Sequence, residues 1–129
     1  MVIVNADVRT MAGERFEHGY IHMDGGKIVS VGPMERAPRD AERFDAAGAV
    51  ALPGLVDAHC HIGMWEECVG FEGADGNELT DPITPHMRAI DGIYPMEQPF
   101  ADACRCGVTA AATGPGSTNV IGGQFAAVK

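Results

Sequence analysis

A chain of 129 residues has the length of one ordinary domain, or of part of a larger one, so a single core is expected. Hydrophobic residues make up 46% and charged residues 21%, the balance of a folded chain and not of a disordered one. Nine Lys and Arg stand against 18 Asp and Glu for a net charge of -9, which repels phosphate backbones and anionic membrane surfaces, so neither nucleic acid nor membrane is expected as a partner.

Met1 leads straight into an apolar stretch with no basic segment before it, and the longest apolar run, Ala46 to Val56, is interrupted by Gly48 and Pro53. Neither a signal peptide nor a spanning helix is expected, which points to the cytoplasm. The four cysteines, Cys60, Cys68, Cys104 and Cys106, contain no C-x-x-C pair, and reduced thiols are expected.

Residues 1 to 8 alternate, with Val2, Val4, Ala6 and Val8 on one side and Ile3, Asn5 and Asp7 on the other, which predicts a half-buried strand. Between Gly19 and Gly32, two apolar runs bracket Asp24-Gly25-Gly26, and a D-G pair supplies the positive φ of a tight hairpin. A charged loop from Pro33 to Glu42 precedes a β-like stretch, Arg43 to Leu52, closed by Pro53-Gly54. Residues 1–52 therefore read as a small antiparallel, sandwich-type β domain.

A second architecture is expected over residues 53–129. Leu55 to His61 is a short apolar strand without a clean solvent face, as if buried on both sides. Residues 62–96 show little periodicity and carry six acids, Glu66, Glu67, Glu72, Asp75, Glu78 and Asp81, before the next base, Arg88. Loops of this length are usually functional or disordered. Pro99 to Cys106 predicts a short helix, with Phe100, Ala103 and Cys104 on one face and Gly107 as its C-terminal cap. Val108 to Thr113 predicts another buried strand, Gly114 to Asn119 a turn, and Phe125 to Lys129 the start of a further element. Strand, excursion, helix and strand in this order give an α/β class with a parallel sheet or barrel.

The chemistry-bearing feature is His59-x-His61. Five histidines make an H-x-H by chance often enough that spacing alone carries little. Its position carries more, because residues two apart on a strand share a face about 6.6 Å apart, within reach of one ion. Cys60 points the other way. The pair also ends a strand, where α/β barrels build their sites. Two histidines satisfied by hydrogen bonds at a strand end remain the bland alternative.

Leu52-Pro-Gly-Leu-Val-Asp-Ala-His-Cys-His61 resembles the end of the first barrel strand of the amidohydrolase superfamily, P-G-[LF]-[IV]-D-x-H-x-H. The D-G-x-K-I hairpin, the I-x-x-V-G-P segment ending at Pro33, and Gly107-Val-Thr109 resemble the same family. Asp81 to Pro85, Asp91 to Ile93 and Gly114 to Gln124 are most similar to its imidazolonepropionase-related members. The resemblance implies a small β domain followed by the first elements of a (β/α)8 barrel, and it covers the first third of such an enzyme. It implies hydrolysis of a C–N bond, in a cyclic amide or related small molecule, by a metal-activated water.

By motif match, His59 and His61 are implied as ligands of a divalent metal, zinc foremost. The metal would lower the pKa of a bound water and polarise the substrate carbonyl. The family's bridging carboxylated Lys or Glu, two further His and the Asp base come from later strands, so the general base lies outside these 129 residues and Lys129 does not match the bridging ligand. The chain alone is expected to be inactive, and to exist as a homo-oligomer or with the remainder of the barrel. The alternative is a non-catalytic fragment or assembly module.

Other candidates keep two readings each. Asp57 either orients an imidazole or caps local backbone. His86, Glu66 and Glu67 either contact substrate or lie on a solvated loop. Gly114-x-Gly116 and Gly122-Gly123 read as turn glycines rather than a phosphate cradle, and Met64 and Trp65 as loop anchors rather than a stacking platform.

Overall fold

The computed structural model describes residues 1–67 and 69–129. Instead of the single core that length suggests, the chain divides into two compact units, Met1–Pro53 and Gly54–Lys129.

The first unit is built on β1 (Val2–Arg9), whose alternation works as the sequence predicts: Val2, Val4, Ala6 and Val8 are buried, while Ile3, Asn5 and Asp7 are half-buried. β2 (Arg15–Asp24) pairs antiparallel with β1, and β3 (Lys27–Pro33) pairs antiparallel with β2 through the expected turn, where Gly25 and Gly26 take φ of 54° and 74°. Tyr20 on β2 joins Val2 and Val4 in the core, and Met34, Ala37 and Ala41 close over it.

The rest of this unit departs from expectation. β4 (Arg43–Asp45) and β5 (Val50–Ala51) both pair with β1 in parallel, along the same edge, giving one five-stranded mixed sheet in place of an antiparallel sandwich. The cause is the connection. A 3-10 turn over Met34–Arg36 and the loop after it pack on the core and return the chain to the start of β1, so the next strand runs in β1's own direction. The single β-like stretch breaks in two at Ala47 and Gly48, and the Gly48 amide donates to the Asn5 carbonyl at 2.7 Å, where β1 bulges with Asn5 at φ 55°.

The second unit has a three-stranded sheet ordered β6 (Leu55–Cys60), β7 (Val108–Thr113), β8 (Ala126–Val128). β6 and β7 are parallel, as the strand–helix–strand order requires, and β8 is antiparallel to β7. Between them lie the one-turn helix α1 (Ala89–Gly92) and α2 (Gln98–Arg105), the latter starting one residue earlier than predicted and ending one earlier, with Pro99 in its first turn and Gly107 just past its end. The apolar face of α2 lines, with β7, a cavity of about 720 Å³ that includes Phe100, Ala103, Val108 and Lys129.

One expectation fails in this unit, and one open pair of alternatives narrows. β6 is not buried on both sides: Leu55 is 51% and Val56 71% exposed, because β6 is the sheet's edge strand and α2 packs on β7. The acidic excursion, in turn, is stitched down rather than loose. A bridge within it joins Trp65 to Ala74, and parallel bridges join Ile83 to Ile121 and Arg88 to Gln124, so its second half is held by the segment after β7. Its carboxylates act locally: Asp81 accepts from the Ile83 amide at 2.8 Å, and Glu78 accepts from the Thr80 amide and hydroxyl at 2.7 Å, which holds the Glu78 carboxyl below the usual range.

No helix among the described residues is long and apolar enough to cross a membrane. Cys60, Cys104 and Cys106 are free thiols, and Cys68 lies outside the described residues.

Candidate metal-binding site

The end of β6 brings His59 and His61 together. Their rings meet edge to face, with centroids 5.1 Å apart and planes at 84°. The strand's two-residue repeat returns both side chains to one side of the backbone. Phe125 then forms a wall against both, at 5.0 Å from His59 and 6.1 Å from His61, and the Trp65 ring approaches His61 edge-on at 5.6 Å.

His61 is oriented by a backbone group. Its Nδ1 lies 2.7 Å from the carbonyl oxygen of Gly114, at the end of the neighbouring strand. A carbonyl can only accept, so Nδ1 carries a proton, and in the neutral ring Nε2 is the nitrogen with the lone pair. That is the tautomer a metal-ligating imidazole uses, with its second nitrogen donating to a carbonyl. Gly114 is buried beneath Phe125, and a Cβ built on it would stand 2.5 Å from the Phe125 ring. The glycine therefore lets Phe125 and the His61-orienting carbonyl occupy one place.

Asp57 takes its local role: its carboxylate accepts from the His59 amide at 3.1 Å. Met64 is buried, and Trp65 lies against Gly76, consistent with loop anchoring, although Trp65 also touches His61. His86 sits away from the pair, in a cavity of about 390 Å³ of mixed lining, with Asp75, Glu78, Arg88 and Asn119 among its polar residues and Met64 and Met87 among its apolar ones. Glu66 is half-buried, its amide donating to the Gly73 carbonyl, and Glu67 is exposed. No motif or spacing marks the Gly114 carbonyl, Phe125 as a wall, or Glu97, which is 6% exposed and accepts from the Gly63 amide.

Among the described residues no group of three or more His, Cys, Asp or Glu is arranged to hold an ion. The pair therefore fits a divalent metal as part of a coordination shell: two imidazoles, one with its tautomer fixed, supply half of a tetrahedral set.

Comparison with known proteins agrees with the motif. No protein-family model matches the chain. A protein named amidohydrolase tasK, from Hapsidospora irregularis, is 35% identical over 127 residues, covering 95% of this chain and 13% of its own length. A 5-methylthioadenosine/S-adenosylhomocysteine deaminase of Symbiobacterium thermophilum is 38% identical over 68 residues, 50% of this chain and 16% of that protein. Shorter matches carry the name imidazolonepropionase. The crystal structure of an amidohydrolase from Thermotoga maritima superposes with a TM-score of 0.85 at 41% identity, covering 99% of this chain and 33% of that one. The chain thus spans a third or less of the length of these proteins.

Proposed function

We propose, from the premise that this chain matches the N-terminal portion of the amidohydrolase superfamily in sequence and fold, that it contributes two histidine ligands to a divalent-metal centre, zinc foremost, hydrolysing a C–N bond of a small molecule. The observation that carries this reading is the His59–His61 pair, edge to face at 5.1 Å, with His61 Nδ1 engaged by Gly114 and Nε2 free.

A bound divalent metal would supply Lewis-acid polarisation of the substrate and a more acidic water. The chain's own residues do the positioning. Gly114 holds the Nδ1 side of His61, Phe125 packs against both rings and Trp65 against His61, and Asp57 holds the backbone at His59. The general base and the other ligands are assigned to residues beyond these 129, so this chain by itself is proposed to be inactive. The cytoplasm is proposed as its compartment.

The test is metal analysis of the purified chain with calorimetric titration of Zn²⁺. One weak equivalent is expected, since water must complete most of the shell, with loss of binding in both His59→Ala and His61→Ala. Binding that survives both substitutions would place the ion elsewhere.

The exposed Leu55 and Val56 on the edge strand β6 favour a second reading, an assembly module that pairs with other chains and performs no chemistry. The coding sequence past codon 129 separates the two: downstream His, Lys or Glu, and Asp ligands support the enzyme, and an immediate stop supports the module.

A further inference from the structure

We propose that Glu97 is the positioning residue for His61, acting through the turn that follows the histidine pair; the metal arm of its test rests on the reading given under Proposed function. Glutamates at helix ends are usually solvated, but Glu97, immediately before α2, is 6% exposed. Its Oε2 accepts from the Gly63 amide, and Oε1 is, among the described residues, the one buried side-chain oxygen or nitrogen without a hydrogen-bond partner. A buried carboxylate that satisfies only one oxygen is costly, and a costly group in a loop calls for a task.

The task is visible two residues from His61. Gly63 stands at φ 85° with the Phe100 ring and Ile93 packed so closely that an added Cβ would sit 2.9 Å and 3.0 Å from them. Both backbone groups of Gly63 are held by the segment before α2: its amide by Glu97, and its carbonyl by the Tyr94 amide at 2.9 Å. The turn closes on itself through the Met64 amide and the His61 carbonyl at 3.1 Å, and the Ile62 carbonyl accepts from the Thr113 hydroxyl at 2.6 Å. His61 therefore hangs between two anchors 34 and 53 residues away in sequence from their partners, Glu97 on the turn and Gly114 on the ring. The acceptor of the Gly63 amide is a buried side chain fixed at the start of α2, so the Glu97 carboxyl is the rigid end of this suspension. Glu97 does not touch either imidazole; it acts through the backbone.

The test uses the full chain with ¹⁵N-labelled histidine, well below its unfolding midpoint. In the unmodified chain and in Glu97→Gln, which keeps an acceptor for Gly63, His61 is expected as the single Nδ1–H tautomer. In Glu97→Ala, His61 is expected to become a mixture of tautomers while His18 and His22 keep their signals. Co²⁺ affinity is expected to fall about tenfold or more in Glu97→Ala and to hold in Glu97→Gln. If Glu97→Ala does not fold, the shortened Glu97→Asp serves, and in the unmodified chain the Gly63 amide is expected to exchange with solvent far more slowly than the exposed amides of the same loop. A folded Ala or Asp variant with an unaltered His61 tautomer, or a rapidly exchanging Gly63 amide, overturns the proposal. Absence of Co²⁺ binding by the unmodified chain would overturn the metal reading and leave the tautomer result to decide the role of Glu97.

Discussion

Gly114 shows how much of the site rests on atoms without a side-chain signature. His59 and His61 are legible in the sequence because strand geometry turns an i, i+2 spacing into a shared face, and the rings do meet. The carbonyl that orients His61 is 53 residues away and belongs to a residue that reads as a turn glycine. Asp57 was open to two readings, since a carboxylate two residues before an imidazole is equally placed for the ring or for the amide, and it takes the amide. Gly114→Ala is expected to force Phe125 aside, costing about 1–3 kcal/mol in urea unfolding as overpacked sites do, and to weaken Zn²⁺ binding with it. An unchanged midpoint and affinity would mean that Phe125 is free to move without effect.

Among the elements, those set by local pattern were legible and those set by connection were not. Alternation marks β1, a D-G turn marks the β2–β3 hairpin, and Pro99 with Gly107 brackets α2. The parallel direction of β4 and β5 depends on how residues 34–42 pack over the core, which has no periodicity to read. The β1–β2 pair carries a charge cluster with a testable consequence. Arg15 hydrogen bonds hold the Asp7 carboxyl below its usual range, partial burial opposes them, and Arg9 adds to the lowering. A carboxyl lowered on folding stabilises above its unfolded pKa, near 3.8, and loses that contribution as pH falls through the lower folded value. Asp7→Asn is therefore expected to melt slightly below the unmodified chain at neutral pH, with the gap closing below about pH 3.8. A gap that stays constant from pH 7 to pH 3 would contradict the ion-pair account.

At the scale of the whole molecule, the composition of β6 told of burial that these 129 residues do not provide. Leu55 and Val56 are apolar as a covered strand requires, yet the strand is an edge with solvent on both residues. Edge strands of this kind recruit partners, and an added lysine blunts them. Sedimentation is expected to show concentration-dependent association of the chain, reduced in Val56→Lys; a monodisperse monomer at all concentrations would remove this support for a partner across β6. Whether His59 and His61 act together as metal ligands is decided by following the imidazole nitrogens of ¹⁵N-histidine-labelled chain during Zn²⁺ titration. His61 Nε2 is expected to shift as a metal-bound nitrogen while its Nδ1 stays protonated, His59 to respond in the same step, and His18, His22 and His86 to stay unmoved. Zinc-induced shifts at His86 or at the histidines of the first unit, with His59 and His61 unmoved, would contradict that joint role.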